Sequence, residues 1–222
     1  MANFIFAKEE QKSDAISNKE LKKILIVDDD IAIHEITNIA LESMNFTDFE
    51  LQILSAHSSE DAMRLLEKHD DIALALIDVV MESPEAGLDL VNYIRKELQN
   101  DFIRLIIRTG QANDFPPMHV IQHYDINDFK EKTELTRERL YTTVRTSIKQ
   151  YDQLIELQHK YEETYRQLTT DSLTHLPNRI KLIEDFSTHS HQTLILIDII
   201  CFSHINENNG YDIVDYVLRE LA

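Results

Sequence analysis

Five side chains suited to phosphoryl chemistry each follow or end a short apolar run in this 222-residue chain. In chain order they are Asp28, Asp29, Asp78, Thr109 and Lys132. Carboxylates that converge on one point repel each other unless a hard cation lies among them, and oxygen ligands with open water positions suit Mg²⁺. A hydroxyl and an ammonium group facing that cation would neutralise the charge of a phosphoryl group. The residue types therefore predict a magnesium site that handles phosphoryl groups.

The apolar runs alternate with segments of helical periodicity. The predicted strands are Lys23–Val27, Phe49–Ser55, Ile72–Val79, Ile103–Ile107 and Ile126–Lys132. Five strands alternating with helices predict a doubly wound parallel α/β sheet, which binds ligands beyond the carboxyl ends of its strands. A single carboxylate at a strand end is commonly just solvated, but five such residues at successive ends favour a shared site.

The predicted helices lie between these strands. The first has apolar residues at helical spacing, namely Ile33, Ile36, Ile39, Ala40 and Met44. Further helices are predicted at Ser58–His69, with Ser58 or Ser59 as the N-cap, at Leu88–Leu98 and at Met118–His123. These helices supply the crossovers that a parallel sheet needs.

Composition restricts the class of protein. The formal net charge of −18 disfavours direct DNA binding, because such a surface repels phosphate backbones. The single cysteine, Cys201, leaves no intramolecular disulfide and is typical of a reducing compartment. No apolar run approaches the length that spans a bilayer. We therefore expect a cytoplasmic protein with no membrane contact, whose polar, aperiodic residues 1–21 form a mobile arm.

Four motifs, ILIVDDD, ALIDVVM, IIRTG and INDFKEKT, resemble those of the response-regulator receiver domain over residues 22–134. The resemblance implies a flavodoxin-like strand order, 2-1-3-4-5, and a role in two-component signalling. It implies that Asp78 accepts a phosphoryl group from a sensor histidine kinase or a phosphotransfer protein. It also implies that Mg²⁺ is bound by Asp28, Asp29, Asp78 and the carbonyl oxygen of Val80.

The same resemblance implies catalytic and switching roles near the last two strands. Thr109 is expected to bond a phosphoryl oxygen, and Lys132 to pair with Asp78 or with its phosphate. Lys130 is a competitor for the lysine role. Lys132 is favoured because it leaves Phe129 at the position of the aromatic residue that moves with the threonine on activation. An ordinary core aromatic is the alternative interpretation of Phe129.

The loop after the expected phosphoacceptor departs from the family pattern. It reads VVMESPEAG, with Glu82 directly after the methionine, where the family commonly has proline. Pro84 is displaced, and one extra residue precedes Gly87. The course of this loop is therefore open.

Residues 135–170 are predicted to form a helical signalling linker. They contain no Gly or Pro, and an alternating 4-3 spacing is followed by Leu140, Val144, Ser147, Tyr151, Leu154, Gln158, Tyr161, Tyr165 and Leu168. This seam predicts a parallel coiled coil and a homodimer through residues 140–168. The alternative is an amphipathic helix packed on its own domain, and the length of the segment favours the coiled coil.

Residues 171–222 resemble the opening of a GGDEF (diguanylate cyclase) domain. The resemblance implies a metal-binding role for Asp198 and guanine contacts for Asn206 and Asp215, while His175 replaces the usual glycine of the opening motif. The segment is too short to close the core of that α/β fold and contains no complete cyclase or phosphodiesterase site. We expect a truncated, degenerate domain in a chain that controls a cyclic-di-GMP-related output.

Two functions agree with these patterns. The first is a receiver that is phosphorylated on Asp78, catalyses its own phosphoryl uptake and controls the cyclic-di-GMP-related output. The second is a pseudo-receiver, a constitutive dimerisation scaffold whose pocket no longer turns over. The complete set of acidic, hydroxyl and amino side chains favours the first function.

Overall fold

The computed structural model describes residues 19–110, 117–134, 136–188, 193–200 and 211–222. The chain divides into two compact units, Met1–Gln153 and Leu154–Ala222. Most of the expected N-terminal arm therefore lies outside the described residues. Within the described part of the chain, no helix combines the length and the apolarity that crossing a membrane requires.

The first unit is built on a parallel sheet of five strands. They are β1 (Glu20–Val27), β2 (Phe49–Ala56), β3 (Ile72–Asp78), β4 (Arg104–Thr109) and β5 (Asp128–Glu131). The strands lie side by side in the order β2-β1-β3-β4-β5, and every neighbouring pair is parallel. The predicted fold class and strand order are confirmed.

Helices connect the strands and continue into the second unit. Those between strands are α1 (Ile31–Glu42), α2 (Ser59–Lys68), α3 (Ala86–Asn92), which continues into a π-helical turn at Tyr93–Glu97, and α4 (Pro117–His123). A 3₁₀ turn at Lys132–Glu134 leads to the long helix α5 (Arg137–Thr169). The remaining helices are α6 (Arg179–Thr188) and α7 (Tyr211–Leu221).

Helices cover both faces of the sheet. Because side chains alternate along a strand, Ile24 and Ile26 of β1 face one side, while Leu25 and Val27 face the other. The first pair packs in a core with α1 and α5, and the second pair in a core with α2, α3 and α4. All four side chains are fully buried, and each contributes about 1.5–3 kcal/mol of burial free energy. This double cover explains why the central strands are continuous apolar runs.

Each strand differs from its predicted bounds by one to three residues at one end or both, and the starts of β1 and β5 differ in ways that the structure explains. β1 begins at Glu20, which pairs with Phe49, so residues 20 and 21 belong to the sheet and not to an arm. β5 is shorter than predicted and begins after Asn127. The Asn127 side-chain oxygen accepts from Leu105 N at 2.7 Å, and Asn127 N donates to Leu105 O at 2.8 Å. At the start of β5, the side-chain oxygen of Asn127 thus takes the place of a backbone carbonyl as the acceptor for Leu105 N.

Helix α1 forms where the apolar spacing predicts a helix, but the residues of that spacing are not the ones that it buries. Ile36 and Ile39 are 65% and 68% exposed, and the buried residues are His34, Thr37 and Leu41. His34 Nε2 lies 2.8 Å from the carbonyl oxygen of Asp28 and donates to it, since a carbonyl can only accept. A buried carbonyl at the strand end needs such a donor. Two polar residues of α1, His34 and Thr37, therefore turn inward together with Leu41, while Ile36 and Ile39 face outward.

The described residues of the second unit form helices and one isolated antiparallel bridge, between Thr170 and Pro177. Asp171 Oδ1 accepts from the backbone N and the hydroxyl of Thr174, at 2.9 and 2.8 Å, which closes a turn after α5. His175 has a φ of 57°, a left-handed conformation that favours glycine. This backbone conformation explains why glycine is usual at this position of the opening motif.

The first turns of helix α5 and its later turns differ in burial, so the two interpretations of the linker apply to different parts of the helix. Its first turns pack against the sheet of the first unit, where Leu140, Val144 and Ser147 are buried. These residues therefore cannot contact a second chain while the unit is folded, and for them the alternative interpretation, packing on their own domain, holds. Further along, Tyr161 and Leu168 are 64% and 59% exposed.

We predict that α5 contributes to stability only through its first part. Ile148 is fully buried against the sheet, so Ile148→Ala should lower the free energy of unfolding by about 2–4 kcal/mol. Leu157 of the same helix is 63% exposed, and Leu157→Ala should change it by less than about 0.5 kcal/mol. Urea unfolding followed by circular dichroism measures both. Equal losses would contradict this description of the helix.

Candidate functional site

The candidate site lies at the carboxyl ends of β1, β3 and β4. Parallel pairing places Val27 beside Ile77, and Asp78 beside Arg108. The residue after Val27 is Asp28, so the register brings the two aspartates to neighbouring strand ends. Strand alternation directs Asp28, Asp78 and Arg108 to the side of the sheet that α1 and α5 cover. The fold thus gathers two carboxylates and a guanidinium at one point.

Three carboxylates form the acidic part of the site. Oxygen atoms of Asp28, Asp29 and Asp78 all lie within 4.8 Å of one another. Asp28 is fully buried and Asp78 is 5% exposed, while Asp29 is open to solvent. Such an arrangement offers carboxylate oxygens on one side and room for water on the other, as Mg²⁺ prefers.

One ammonium group serves both buried carboxylates. Lys132 Nζ lies 2.9 Å from Asp78 Oδ2 and 2.9 Å from Asp28 Oδ2. Burial lowers the pKa of Lys132, but the bonds to Asp78 and Asp28 outweigh it and raise that pKa overall. Lys130 points elsewhere and pairs with Asp128 at 2.9 Å. Of the two candidate lysines, the structure therefore places Lys132 in the site.

Asp78 is ionised at a cost. Burial raises the pKa of Asp78, the bond from Lys132 lowers it, and repulsion by Asp28 raises it again, so that the pKa lies above its ordinary value. Asp28 Oδ2 is buried, and among the described residues its cationic contacts lack good hydrogen-bond geometry. A buried carboxylate oxygen with spare lone pairs fits a metal ligand. The donor set present therefore fits Mg²⁺, which would be held by Asp28, Asp29 and Asp78.

The loop after Asp78 folds against the strand end despite its unusual sequence. Gly87 N donates to Val79 O at 3.0 Å, and a β-carbon on Gly87 would lie 1.9 Å from the Asp78 carbonyl oxygen. Only glycine allows this approach. Glu82 Oε1 accepts from Ser59 N at 2.9 Å, so it caps α2 from across the loop. Val80, whose carbonyl the resemblance assigns to the metal, lies in this loop and is partly buried.

The two expected switch residues lie on the neighbouring strands. Thr109 ends β4 and is 1% exposed, one residue beyond the partner of Asp78. Phe129 of β5 is partly buried against the core formed with α2, α3 and α4. That packing agrees with either interpretation of Phe129, a switch or a core aromatic. The assigned roles of both residues stay predictions.

Sequence reasoning missed the buried cation next to the acidic cluster. Arg108 is 3% exposed, and its Nη1 donates to Thr37 Oγ1 at 3.2 Å. Burial lowers the pKa of Arg108, whereas Asp28 and Asp78 raise it. A signal was available, because an arginine inside the apolar run of β4 must have a buried anion nearby.

Within the described part of the chain, the residues assigned from the GGDEF resemblance do not gather into a cluster of possible metal ligands. Asp198 is exposed in a segment without regular structure, and Asp215 is partly buried on α7. Asn206 lies outside the described residues. The acidic cluster found in the described part of the chain contains none of them.

Comparison with known families agrees with the geometry of the first unit. A family model described as the response regulator receiver domain matches residues 24–145. The chain belongs to this family. A second model, described as the diguanylate cyclase GGDEF domain, matches residues 168–222. A receiver domain is thus followed by a GGDEF domain.

Similar proteins include one curated relative and several solved structures. The 3'3'-cGAMP-specific phosphodiesterase 2 of Vibrio cholerae is 45% identical over 157 residues, which cover 68% of this chain and 30% of that protein. The chain thus spans about a third of the length of this relative. A structure titled adenylate cyclase from Rhodopirellula baltica is 21% identical, with a TM-score of 0.54, over 64% of this chain and 97% of that one. A receiver domain protein from Clostridium thermocellum is 21% identical, with a TM-score of 0.50, over 60% and 98%. Both structures support the fold alone.

We predict that Asp78→Asn stabilises the metal-free receiver domain. A raised folded-state pKa means that the ionised carboxylate destabilises the fold, so the neutral amide should raise the free energy of unfolding by on the order of 1 kcal/mol, roughly 2–4 °C in Tm. The gain should be full at neutral pH. It should shrink as the pH falls towards the ordinary aspartate value of about 4, where the native protein binds the proton itself.

Thermal unfolding with a chelator present, at several pH values, measures the effect. Asp71→Asn is the matched control. Burial raises the pKa of Asp71, but Lys23, a backbone hydrogen bond and His69 together lower it below the ordinary value, so the control should not gain stability. A loss of stability in Asp78→Asn at neutral pH would contradict the prediction.

Proposed function

We propose that this protein is a response regulator whose receiver domain is phosphorylated on Asp78. The observation that carries the proposal is the Lys132 ammonium, 2.9 Å from Asp78 Oδ2, beside three carboxylates within 4.8 Å of one another. In a purely structural cluster the carboxylates and cations would match in number, whereas here three carboxylates face two cations, Lys132 and Arg108. Such an excess of carboxylates is what a divalent cation and a phosphoryl group require.

The geometry supports direct attack by the aspartate. An oxygen of Asp78 attacks the phosphorus of a phosphohistidine, the new O–P bond forms as the P–N bond breaks, and the histidine ring leaves with the electron pair. When bound, Mg²⁺ would neutralise charge on the phosphoryl oxygens. Lys132 is already next to Asp78 and can pair with one of those oxygens, and the hydroxyl of Thr109 can donate to another. The donor would be a sensor histidine kinase or a phosphotransfer protein.

We propose further that phosphorylation controls a cyclic-dinucleotide output. The support is the GGDEF match at residues 168–222 together with the 45% identity to a cGAMP-specific phosphodiesterase, of which the chain covers 30%. In this layout the receiver domain extends to residue 134, the linker covers 135–170 and the GGDEF-like segment covers 171–222. The proposal includes a cytoplasmic location and no direct DNA binding, which the single cysteine and the net charge of −18 support.

Intact-mass spectrometry after incubation with acetyl phosphate and Mg²⁺ tests the phosphoacceptor. We expect a mass increase of one phosphoryl group in the native chain, none in Asp78→Asn, and the native amount in the control Asp71→Asn. Chelation of Mg²⁺ should abolish the increase. A native chain without an adduct would favour the alternative function, a pseudo-receiver that serves as a constitutive scaffold.

We also propose that the chain forms a homodimer through the exposed part of α5. Tyr161 and Leu168 lie seven residues apart on one face of the helix and are exposed in the single chain. Burying such side chains in a partner contributes about 1–3 kcal/mol each. The residues of the expected seam from 140 to 147 are excluded, since they pack in the receiver core.

Light scattering with and without beryllofluoride checks the dimer. The double variant Tyr161→Glu, Leu168→Glu should be monomeric at concentrations where the native chain is dimeric. His159→Glu adds a charge on the opposite face and should leave the dimer intact. If the double variant dimerises as well as the native chain, the contact lies elsewhere than on this part of α5.

A further inference from the structure

Arg108 is a buried cation to which the phosphorylation chemistry gives no role. It is 3% exposed, and its Nη1 donates to Thr37 Oγ1 at 3.2 Å. Its Nη2 lies 3.6 Å from Asp28 Oδ2, and neither Nε nor Nη2 has a hydrogen-bond partner in the described part of the chain. Leaving donors of a buried guanidinium unpaired is costly. The cost indicates that the position of the charge, and not only packing, matters at this site.

Asp28 is the anion that this charge compensates. The carboxylate is fully buried, and its Oδ2 has two cationic neighbours, Lys132 Nζ at 2.9 Å and Arg108 Nη2 at 3.6 Å. Lys132 is shared with Asp78, so Asp28 holds only part of that charge. Arg108 supplies the remainder. An arginine stays protonated at neutral pH, so this compensation does not depend on a proton.

The same carboxylate is one of the three that fit Mg²⁺. A cation at 3.6 Å from Asp28 Oδ2 repels a second cation that approaches the same oxygen, and the low polarity around a buried site strengthens the repulsion. Metal binding and the Arg108 ion pair therefore compete for Asp28. Arg108 also borders a cavity of about 250 Å³ between α1 and the start of α5, which Lys132 and Arg137 line as well.

We propose that Arg108 is a positioning residue that acts as an internal counter-ion for Asp28 and thereby sets the Mg²⁺ concentration at which the receiver site becomes competent. The inference rests on the proposed function of the site, and it adds a residue that the family motifs do not assign. Without metal the guanidinium compensates the negative charge of the Asp28 carboxylate. When metal binds, the repulsion between the guanidinium and the metal reduces the affinity.

The test compares variants that remove the charge with one that keeps it. Arg108→Met preserves much of the side-chain volume, and Arg108→Gln preserves a group that can hydrogen-bond Thr37. Thr37→Val removes the hydroxyl contact but leaves the charge in place. Calorimetric titration with MgCl₂ at constant ionic strength measures the dissociation constant of each folded protein. Acetyl phosphate loading at increasing Mg²⁺ gives the half-saturating concentration and the maximal rate.

We expect the Mg²⁺ dissociation constant and the half-saturating concentration to fall at least threefold in both charge-removing variants. The maximal rate at saturating Mg²⁺ should stay within twofold, and Thr37→Val should match the native chain in all three quantities. A role in packing alone would weaken metal binding or leave it unchanged, and either result overturns the inference. So does a Thr37→Val variant that binds Mg²⁺ as tightly as Arg108→Met.

The outcomes separate this inference from the proposed function. If the native chain takes up phosphate but both charge-removing variants bind Mg²⁺ no more tightly, only the inference fails. If no variant takes up phosphate while the charge-removing variants still bind Mg²⁺ more tightly, only the proposed function fails. Should Arg108→Met not fold, as judged by circular dichroism, Arg108→Gln decides the question.

Discussion

The sharing of one ammonium group by two buried carboxylates is the interaction on which the functional end of this fold depends. Lys132 Nζ is equidistant, at 2.9 Å, from Asp28 and Asp78 on adjacent strands. An uncompensated carboxylate in such a place costs several kcal/mol, and a buried ion pair rarely repays its own desolvation. The apolar cores on both faces of the sheet must therefore offset this cost, and the close approach of Gly87 to the Asp78 carbonyl holds the loop after Asp78 against the strand end.

Much of this arrangement could be predicted from the sequence, because it depends on where the apolar strands end and on the spacing between residues near those ends. Apolar runs ending in Asp28, Asp78 and Thr109 identify parallel strands, and parallel strands present their ends on one edge. The choice of Lys132 over Lys130 followed from its distance to Phe129, and the structure places Lys132 in the site. The extra residue in the loop could not be placed, because its course depends on Glu82 reaching the first residue of α2, 23 positions earlier in the chain.

The failures have a common physical cause, since apolar periodicity ignores polar partners. It assigned α1 an isoleucine face, but His34 and Thr37 turn inward because the Asp28 carbonyl and the Arg108 guanidinium need partners there. The heptad spacing of α5 likewise does not identify the surface against which its apolar residues pack. A seam that packs on the chain's own sheet, as at Val144, and one that packs on a second chain have the same pattern. Only the position of the sheet distinguishes them.

The charges at the carboxyl end of the sheet are less completely matched by partners than two other buried charges, those of Lys22 and Arg104. Lys22 is buried beside Glu20 and Asp152, both at 2.6 Å, and Arg104 satisfies backbone carbonyls of its own turn. Those groups have enough partners to be explained as structure. At the carboxyl end, three carboxylates face two cations, Lys132 and Arg108, and the pKa of Asp78 is raised by its burial. Departures from local stability rules gather at functional sites, and three carboxylates against two cations leave a net negative charge that favours the entry of a metal cation.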